Sequence, residues 1–292
     1  MATCTVHLID ASPYIFRAWF SLPDMEDPSG RPVSAVRGFA DFLLRYLAEQ
    51  APTHVACTFD ESLTTSFRND LYPAYKAQRD LPPPELEEQL VGCQRVARAL
   101  GLASFSDERY EADDLIATLL APLAEAGHGG VVVTSDKDLA QLVGPGIEMF
   151  DFAKDLRYGP DEVREKFGVT PAQIPDYLGL AGDAVDNIPG VRGVGAKTAA
   201  ALLGAFANLD ELYDGLDRVA DVEVRGARTL GAKLEAARDE AFLSRELATV
   251  AIDAPASATL DELAWGGVPG AAREVFDEYG LGRLLDRSRG KD

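Results

Sequence analysis

Acidic residues in this chain fall at positions where several of them could act together on a phosphate. Asp10 closes the run TVHLID, Asp60 follows HVACTF, Glu111, Asp113 and Asp114 open YEADDLIATL, and Asp136 and Asp138 follow GVVVT. Asp183 and Asp186 stand further on, in the glycine-bearing stretch GLAGDAVDNIPG. Taken singly, each is an ordinary turn or helix-cap residue. Together they offer many hard oxygen ligands with no His or Cys nearby, a set that suits Mg²⁺ or Mn²⁺ rather than zinc or copper. A two-metal site follows as the natural expectation, one cation lowering the pKa of an attacking water and the other stabilising the leaving oxygen of an in-line phosphodiester displacement.

Such acids can converge only if regular elements carry them to one place. Thr5–Asp10, His54–Phe59 and Gly130–Thr134 read as strands, and Ser34–Gln50, Glu85–Leu100 and Glu111–Ala126 as helices. Ser34 is a plausible N-cap, three prolines precede the second helix and Gly127 ends the third. Strands alternating with helices predict βα units and a mainly parallel sheet. In open sheets of that kind the ligand crevice lies at the carboxyl ends of the strands, where four separate segments place their acids. The N-terminus of the Glu111 helix adds a dipole that favours negative charge there. After about residue 160 short helical patterns punctuated by Gly and Pro predict an α-rich second region, packed against the first because no low-complexity linker separates them.

Two further segments carry polar chemistry. FRNDLYPAYKAQRDLPPPEL is too long for an ordinary βα loop. With Pro73 at the first position of a helix, Lys76 and Arg79 would share a face, Arg68 and Tyr72 leading into it. Cations interleaved with aromatics suit single-stranded nucleic acid, although a solvated surface helix has the same composition. GVRGVGAKT, at 190–198, fails the phosphate-loop pattern because Ala196 separates Gly195 from Lys197. It reads better as a helix-hairpin-helix turn whose glycines let backbone N–H groups approach a DNA phosphate, with a plain Gly-rich helix connection as the alternative.

Composition limits the remaining choices. A chain of 292 residues, 47% hydrophobic, can bury one large α/β core or a core with a smaller attached domain. The first twenty residues lack a basic stretch followed by a long apolar run, and no window approaches a membrane span, so no membrane partner and a cytoplasmic location are expected. Cys4, Cys57 and Cys93 are odd in number and far apart, which suits reduced thiols. The 28 basic residues against 48 acidic ones give a net charge of −20, which on average argues against nucleic-acid binding. Acids gathered in one metal pocket would answer that objection, leaving small basic patches to grip phosphates.

These residues, in this order, resemble the 5′ nuclease family, which includes the N-terminal nuclease domain of bacterial DNA polymerase I, stand-alone bacterial exonucleases, phage 5′ nucleases and flap endonucleases. LIDASPYIFRAW, FRNDLYPAYKAQR, YEADDLIATL, VVVTSDKDLAQLV, GLAGDAVDNIPGVRGVGAKTA and FLSRELATV carry the likeness over nearly the whole chain. The resemblance implies a PIN-like α/β core at 1–168 with a helical arch at about 66–84. It also implies a helical DNA-binding region at 169–292, containing a helix-three-turn-helix at about 183–205. All nine acids named above match the family's metal-site positions. Asp136 and Asp138 with Lys76 and Arg79 then become the catalytic candidates, and Arg17, Arg68, Tyr75, Lys76, Arg79, Gly193, Gly195, Lys197 and Thr198 the DNA-binding ones. Two Mg²⁺ or Mn²⁺ ions, and in some members K⁺ on the carbonyls of the three-turn segment, are the implied cofactors. The implied activity is 5′-3′ exonuclease and flap endonuclease action on DNA 5′ ends and flaps, by a monomer coupled in function to a DNA polymerase. Ala11 departs from the family's usual Gly. A PIN-type ribonuclease and a non-catalytic binder of branched DNA stay as alternatives: the first needs neither arch nor hairpin, and the second needs no acids. With no polymerase region after Asp292, a stand-alone enzyme or an excised domain is expected.

Overall fold

The computed structural model describes residues 3–61 and 65–289. Six strands, β1 (Thr5–Asp10), β2 (His54–Asp60), β3 (Ala103–Asp107), β4 (Gly129–Val133), β5 (Ile147–Asp151) and β6 (Leu156–Tyr158), form one sheet in the order 3-2-1-4-5-6. The first five run parallel, and β6 returns antiparallel along β5. Chain order reverses at β1, which pairs with β2 on one side and β4 on the other. That reversal opens a crevice beyond the carboxyl ends of β1 and β4.

Side chains alternate across β1 and send its two faces into different cores. Val6 and Leu8 join Val132 and the apolar side of α5 (Ala112–Glu125), in particular Ile116, Leu119 and Leu123. Ile9 joins Val55, Cys57 and Val133 beneath α2 (Ser34–Gln50) and α4 (Pro84–Ala99). Between strands and these helices lie α1 (Ser12–Ser21), directly after Asp10, and α3 (Phe67–Leu71). The first core continues without a break into α6 (Pro160–Phe167), α7 (Ile174–Ala181), α8 (Ala196–Ala205), α9 (Leu209–Asp214), α10 (Ala227–Ala236) and α11 (Arg238–Ala248), through Leu139, Val163, Leu178, Leu202 and Leu247. The α-rich second half is therefore fastened to one face of the sheet by shared apolar burial, as the absence of a linker predicts.

The segment expected to form a helix from Pro73 differs. Beyond α3 it runs as consecutive turns through residue 79, and Lys76 adopts a left-handed backbone with φ +54°. The Lys76 N–H and the Ala74 carbonyl bond across to Asp186 and Asn187, and the remaining N–H groups of Tyr75, Ala77 and Arg79 close isolated turns, so the ladder that Pro73 would have opened does not form. Among the described residues no helix is long and apolar enough to cross a membrane.

Candidate active site

Four aspartates meet in the crevice at the point of strand reversal. Asp10 ends β1 and is 3% exposed, its two oxygens accepting from Thr134 Oγ1 at 2.8 Å and the Ser12 N–H at 3.2 Å. Asp60 ends β2 and accepts from Ser12 Oγ at 2.6 Å and from the Ala112 N–H at the start of α5, at 2.8 Å. Asp113 enters from the first turn of α5, and Asp136 from the loop after β4, where its N–H donates to Thr134 Oγ1 at 2.9 Å. Ser12 and Thr134 thus tie neighbouring acids together, and neither was singled out from the sequence. Burial, then the charges of Asp60 and Asp136, pushes the Asp10 carboxyl well above the ordinary range. Asp113 is pushed up likewise, by burial and by Asp10, Asp136 and Asp60. Burial also raises Asp136, and burial together with Asp136 carries Asp138 up to about 7. This floor holds more negative charge than its surroundings offset.

The rim is different because cations of the chain itself press on it. Lys76 Nζ stands 2.8 Å from Glu111 Oε1 and 3.6 Å from Asp186 Oδ2, and Tyr75 Oη donates to Glu111 Oε2 at 3.0 Å. Arg79 pairs with Asp186, and Lys137 with Asp183. Burial alone would raise Glu111, but Lys76 and Arg68 outweigh it and hold its carboxyl below the ordinary value. Lys137, through its hydrogen bond, likewise overcomes burial to lower Asp183. Among the described residues no three His, Cys or acidic groups stand ready-made around a metal position, and Glu111, Asp183 and Asp186 are paired with ammonium and guanidinium groups of the chain. The chemistry of the donors still fits a hard dication. Every candidate ligand is a carboxylate, the floor lacks counter-charge, and Asp138 Oδ1 is buried without a hydrogen bond, Lys137 Nζ standing off at 3.6 Å.

Four expected site residues occupy other positions. Asp114, expected as a metal acid, is fully buried and spent on structure: Arg68 reaches its two oxygens at 2.7 and 2.8 Å, and the N–H groups of Glu111 and Ala251 complete its shell at 3.0 and 2.7 Å. An N3 acid returning to the N-cap N–H is the helix-starting half of a capping box. Arg68, expected at DNA, is 3% exposed and also donates to the carbonyls of Leu247 and Thr249, at 2.8 and 3.0 Å. It fastens α3, α5 and the end of α11 to one another. Tyr75 is equally buried and meets Glu111, not solvent. Arg17 is exposed on α1, where it lines a cavity of about 430 Å³ with Arg37, Arg45 and Phe152 and forms no part of the acidic crevice.

Asp183 and Asp186 are presented by a closed loop. Asp183 and Ile188 exchange both backbone hydrogen bonds, at 2.9 and 2.7 Å. Gly182 and Gly190 cross at its neck with φ of +71° and +58°, and a Cβ on Gly190 would fall 2.3 Å from the Gly182 nitrogen. Only glycine fits that approach. Gly193 and Gly195 instead border open space, and Gly195 precedes α8, whose first turn exposes Lys197 with Thr198 half-buried beside it.

A parallel α/β sheet with an acidic crevice at its strand-order switch, overlaid by cations and joined to a helical region, is the architecture of an α/β nuclease. Residues 5–168 match the family model described as 5′-3′ exonuclease, N-terminal resolvase-like domain, and residues 169–270 that described as 5′-3′ exonuclease, C-terminal SAM fold. The chain belongs to the 5′-3′ exonuclease family. It is 42% identical over 264 residues to DNA polymerase I of Pseudomonas aeruginosa, covering 90% of this chain and 29% of that one. To DNA polymerase I of Bacillus caldotenax it is 40% identical over 288 residues, 96% of this chain and 32% of that one. It therefore spans about a third of the length of these relatives. In fold it is similar to the zinc-bound phage T5 5′-exonuclease, with a TM-score of 0.68, 20% identity and coverage of 97% and 99%. The catalytic core of Rad2 in complex with DNA substrate gives a TM-score of 0.64 at 16% identity, covering 98% and 92%.

Proposed function

We propose that the chain hydrolyses DNA phosphodiester bonds at 5′ ends and at junctions between single strand and duplex. Two Mg²⁺ or Mn²⁺ ions would be held directly by Glu111, Asp113, Asp136 and Asp138, with Asp10, Asp60, Asp183 and Asp186 acting as further or water-mediated ligands. The observation that carries this reading is the convergence of Asp10, Asp60, Asp113 and Asp136 at the strand-order switch, tied together through Ser12, Thr134 and the start of α5, where burial and neighbouring carboxylates push Asp10 and Asp113 upward. Bound there, the ions would supply Lewis-acid activation of water and neutralise charge developing on the leaving oxygen.

The protein's own groups do the positioning. With Glu111 and Asp186 engaged by cations, Lys76 and Arg79 would be free to hold the phosphate being cut, Arg79 as a planar fork and Lys76 as a point charge. The first turn of α8 leaves N–H groups without helical partners, and beside Lys197 and Thr198 they suit a duplex phosphate. Gly193 and Gly195, bordering open space, let that backbone come close, and carbonyls of the same turn offer K⁺ a seat. The chain acts as a monomer in the cytoplasm, at the nucleoid. Its relatives' name, DNA polymerase I, makes a polymerase the natural functional partner.

The test is cleavage of a 5′-labelled flap by the native protein, with Mg²⁺ and with chelator, beside an all-RNA flap of the same sequence. Mg²⁺-dependent cutting at the DNA junction is expected. Equal or preferential cutting of the RNA, without dependence on the junction, would favour a PIN-type ribonuclease.

A further inference from the structure

The turn segment 72–79 carries Lys76 and Arg79, yet it has little structure of its own. Its internal backbone bonds are isolated turns, Tyr75 N–H to Tyr72 O at 2.8 Å, Ala77 N–H to Ala74 O at 3.1 Å and Arg79 N–H to Lys76 O at 3.0 Å. Lys76 sits in the left-handed region, which is unfavourable for a residue with a Cβ unless its surroundings hold it. Those surroundings are the closed acidic loop. The Lys76 N–H donates to Asp186 O at 3.0 Å, Asn187 Nδ2 to Ala74 O at 2.6 Å, and Gln78 Nε2 to the carbonyls of Ala184 and Val185 at 3.2 and 2.9 Å. Asn187 is itself left-handed, with φ +57°, a conformation in which its amide reaches Ala74.

We infer that Gln78 and Asn187 are positioning residues: their neutral amides clamp the basic segment onto the loop of Asp183 and Asp186, setting the height of Lys76 and Arg79 above the carboxylates. The division of labour follows from rigidity. The loop is locked by the Asp183–Ile188 pair and the glycine crossing, so it serves as template, and the segment without a helix is the part that docks. Beside the Lys76 N–H bond to Asp186 O, the clamp has two uncharged side-chain rivets, one from each side. Gln78 reaches from segment to loop, and Asn187 from loop to segment. When cations relieve Lys76 and Arg79 of their carboxylate partners, these amides still fix the segment, because they bond to backbone carbonyls that no metal claims. Charge pairing alone would release the segment at that moment.

This inference rests on the nuclease reading for its consequence, but not for its geometry. The experiment uses the full chain carrying Gln78→Met with Asn187→Gly. Met keeps the length of Gln78, and Gly keeps the left-handed backbone free of strain while deleting the amide. Hydrogen exchange of amides 74–79, measured with Mg²⁺ present, is expected to rise about 10-fold while the strands keep native protection. Single-turnover cleavage of a 5′ flap should fall roughly 10-fold or more, with junction affinity within about two-fold, since a misplaced phosphate clamp costs rate before it costs binding. Restoring Gln78 alone should recover part of both. Unchanged exchange at 74–79 overturns the clamp, as does raised exchange with an unchanged cleavage rate. A parallel fall in thermal midpoint, affinity and rate would make the two residues merely structural and also overturns it. If the native chain cuts no flap, the nuclease reading has failed, and the exchange measurement decides the clamp by itself.

Discussion

Asp136→Ala is expected to lower the rate of 5′-flap cleavage by about 10³-fold, a loss of ~4 kcal/mol of transition-state stabilisation, while junction affinity stays within about two-fold. Asp136 belongs to the carboxylate floor, and its charge raises Asp10, Asp113 and Asp138 alike. Its removal takes one like charge from an overcrowded group, so the metal-free variant should melt no lower than the native protein. That combination, inactive but undiminished in stability, separates a catalytic carboxylate from a structural one. The expected DNA contacts around α8 lie on the second helical region and should be untouched. Flap cleavage, fluorescence anisotropy with a labelled junction and a thermal melt decide the matter together. Equal loss of cleavage and binding, with a lowered melting point, would assign Asp136 to folding.

The second large effect falls on stability. Arg68→Met should destabilise the fold by about 3–5 kcal/mol, the usual result of removing one partner from a buried ion pair. Asp114 would be left in the interior without its guanidinium, and the carbonyls of Leu247 and Thr249 would each lose a donor. Arg68→Lys should rescue little, since one ammonium cannot span both carboxylate oxygens and the two carbonyls. The double variant Arg68→Met, Asp114→Leu should recover only part of the loss, because it removes the stranded carboxylate but leaves the N–H groups of Glu111 and Ala251 without their acceptor. Urea denaturation of the four proteins measures these differences. If Arg68 gripped DNA instead, Arg68→Met would keep its urea midpoint and shed affinity with a shallower salt dependence.

What could be read in advance followed the strength of local signals. β1, β2 and β4 are β-branched runs, and their bounds agree with expectation to within a residue. β3, with the sequence ASFSD, and the three-residue edge strand β6 carry too little apolar pattern to announce themselves. α1 passed unread as well, its start at Ala11 carrying no side-chain cap bond. The acids at strand ends were legible because sheet topology fixes where strand ends go. The separation of Asp113 from Asp114 was not, since a metal acid and a capping acid are the same side chain. Only the arrival of Arg68, 46 residues earlier in the chain, distinguishes them. The turn segment fails for the same reason. Pro73 is a sound local cue for a helix, but partners of Ala74, Lys76 and Gln78 come from a loop more than a hundred residues further on. Gly182 and Gly190 were passed over in favour of Gly193 and Gly195, because a backbone crossing leaves no trace in spacing.

The crevice should show its nature most directly in a titration of the native protein with Mg²⁺ or Mn²⁺. Carboxyls whose folded-state pKa lies above the ordinary value are protonated at pH values where the unfolded chain has ionised them. Without metal, their contribution to stability is present below about pH 4 and is lost as pH rises through about 7, where Asp138 ionises. Cations must therefore displace protons at pH 6, bind more tightly at pH 8, and raise the melting temperature most at the higher pH. Calorimetry in two buffers of different ionisation enthalpy, paired with thermal melts, reads all three. Proton release at pH 6, with a melting temperature that climbs with added Mg²⁺, is the predicted result. No heat of binding and an unmoved melting temperature in excess Mg²⁺ would mean that these acids do not form a cation site.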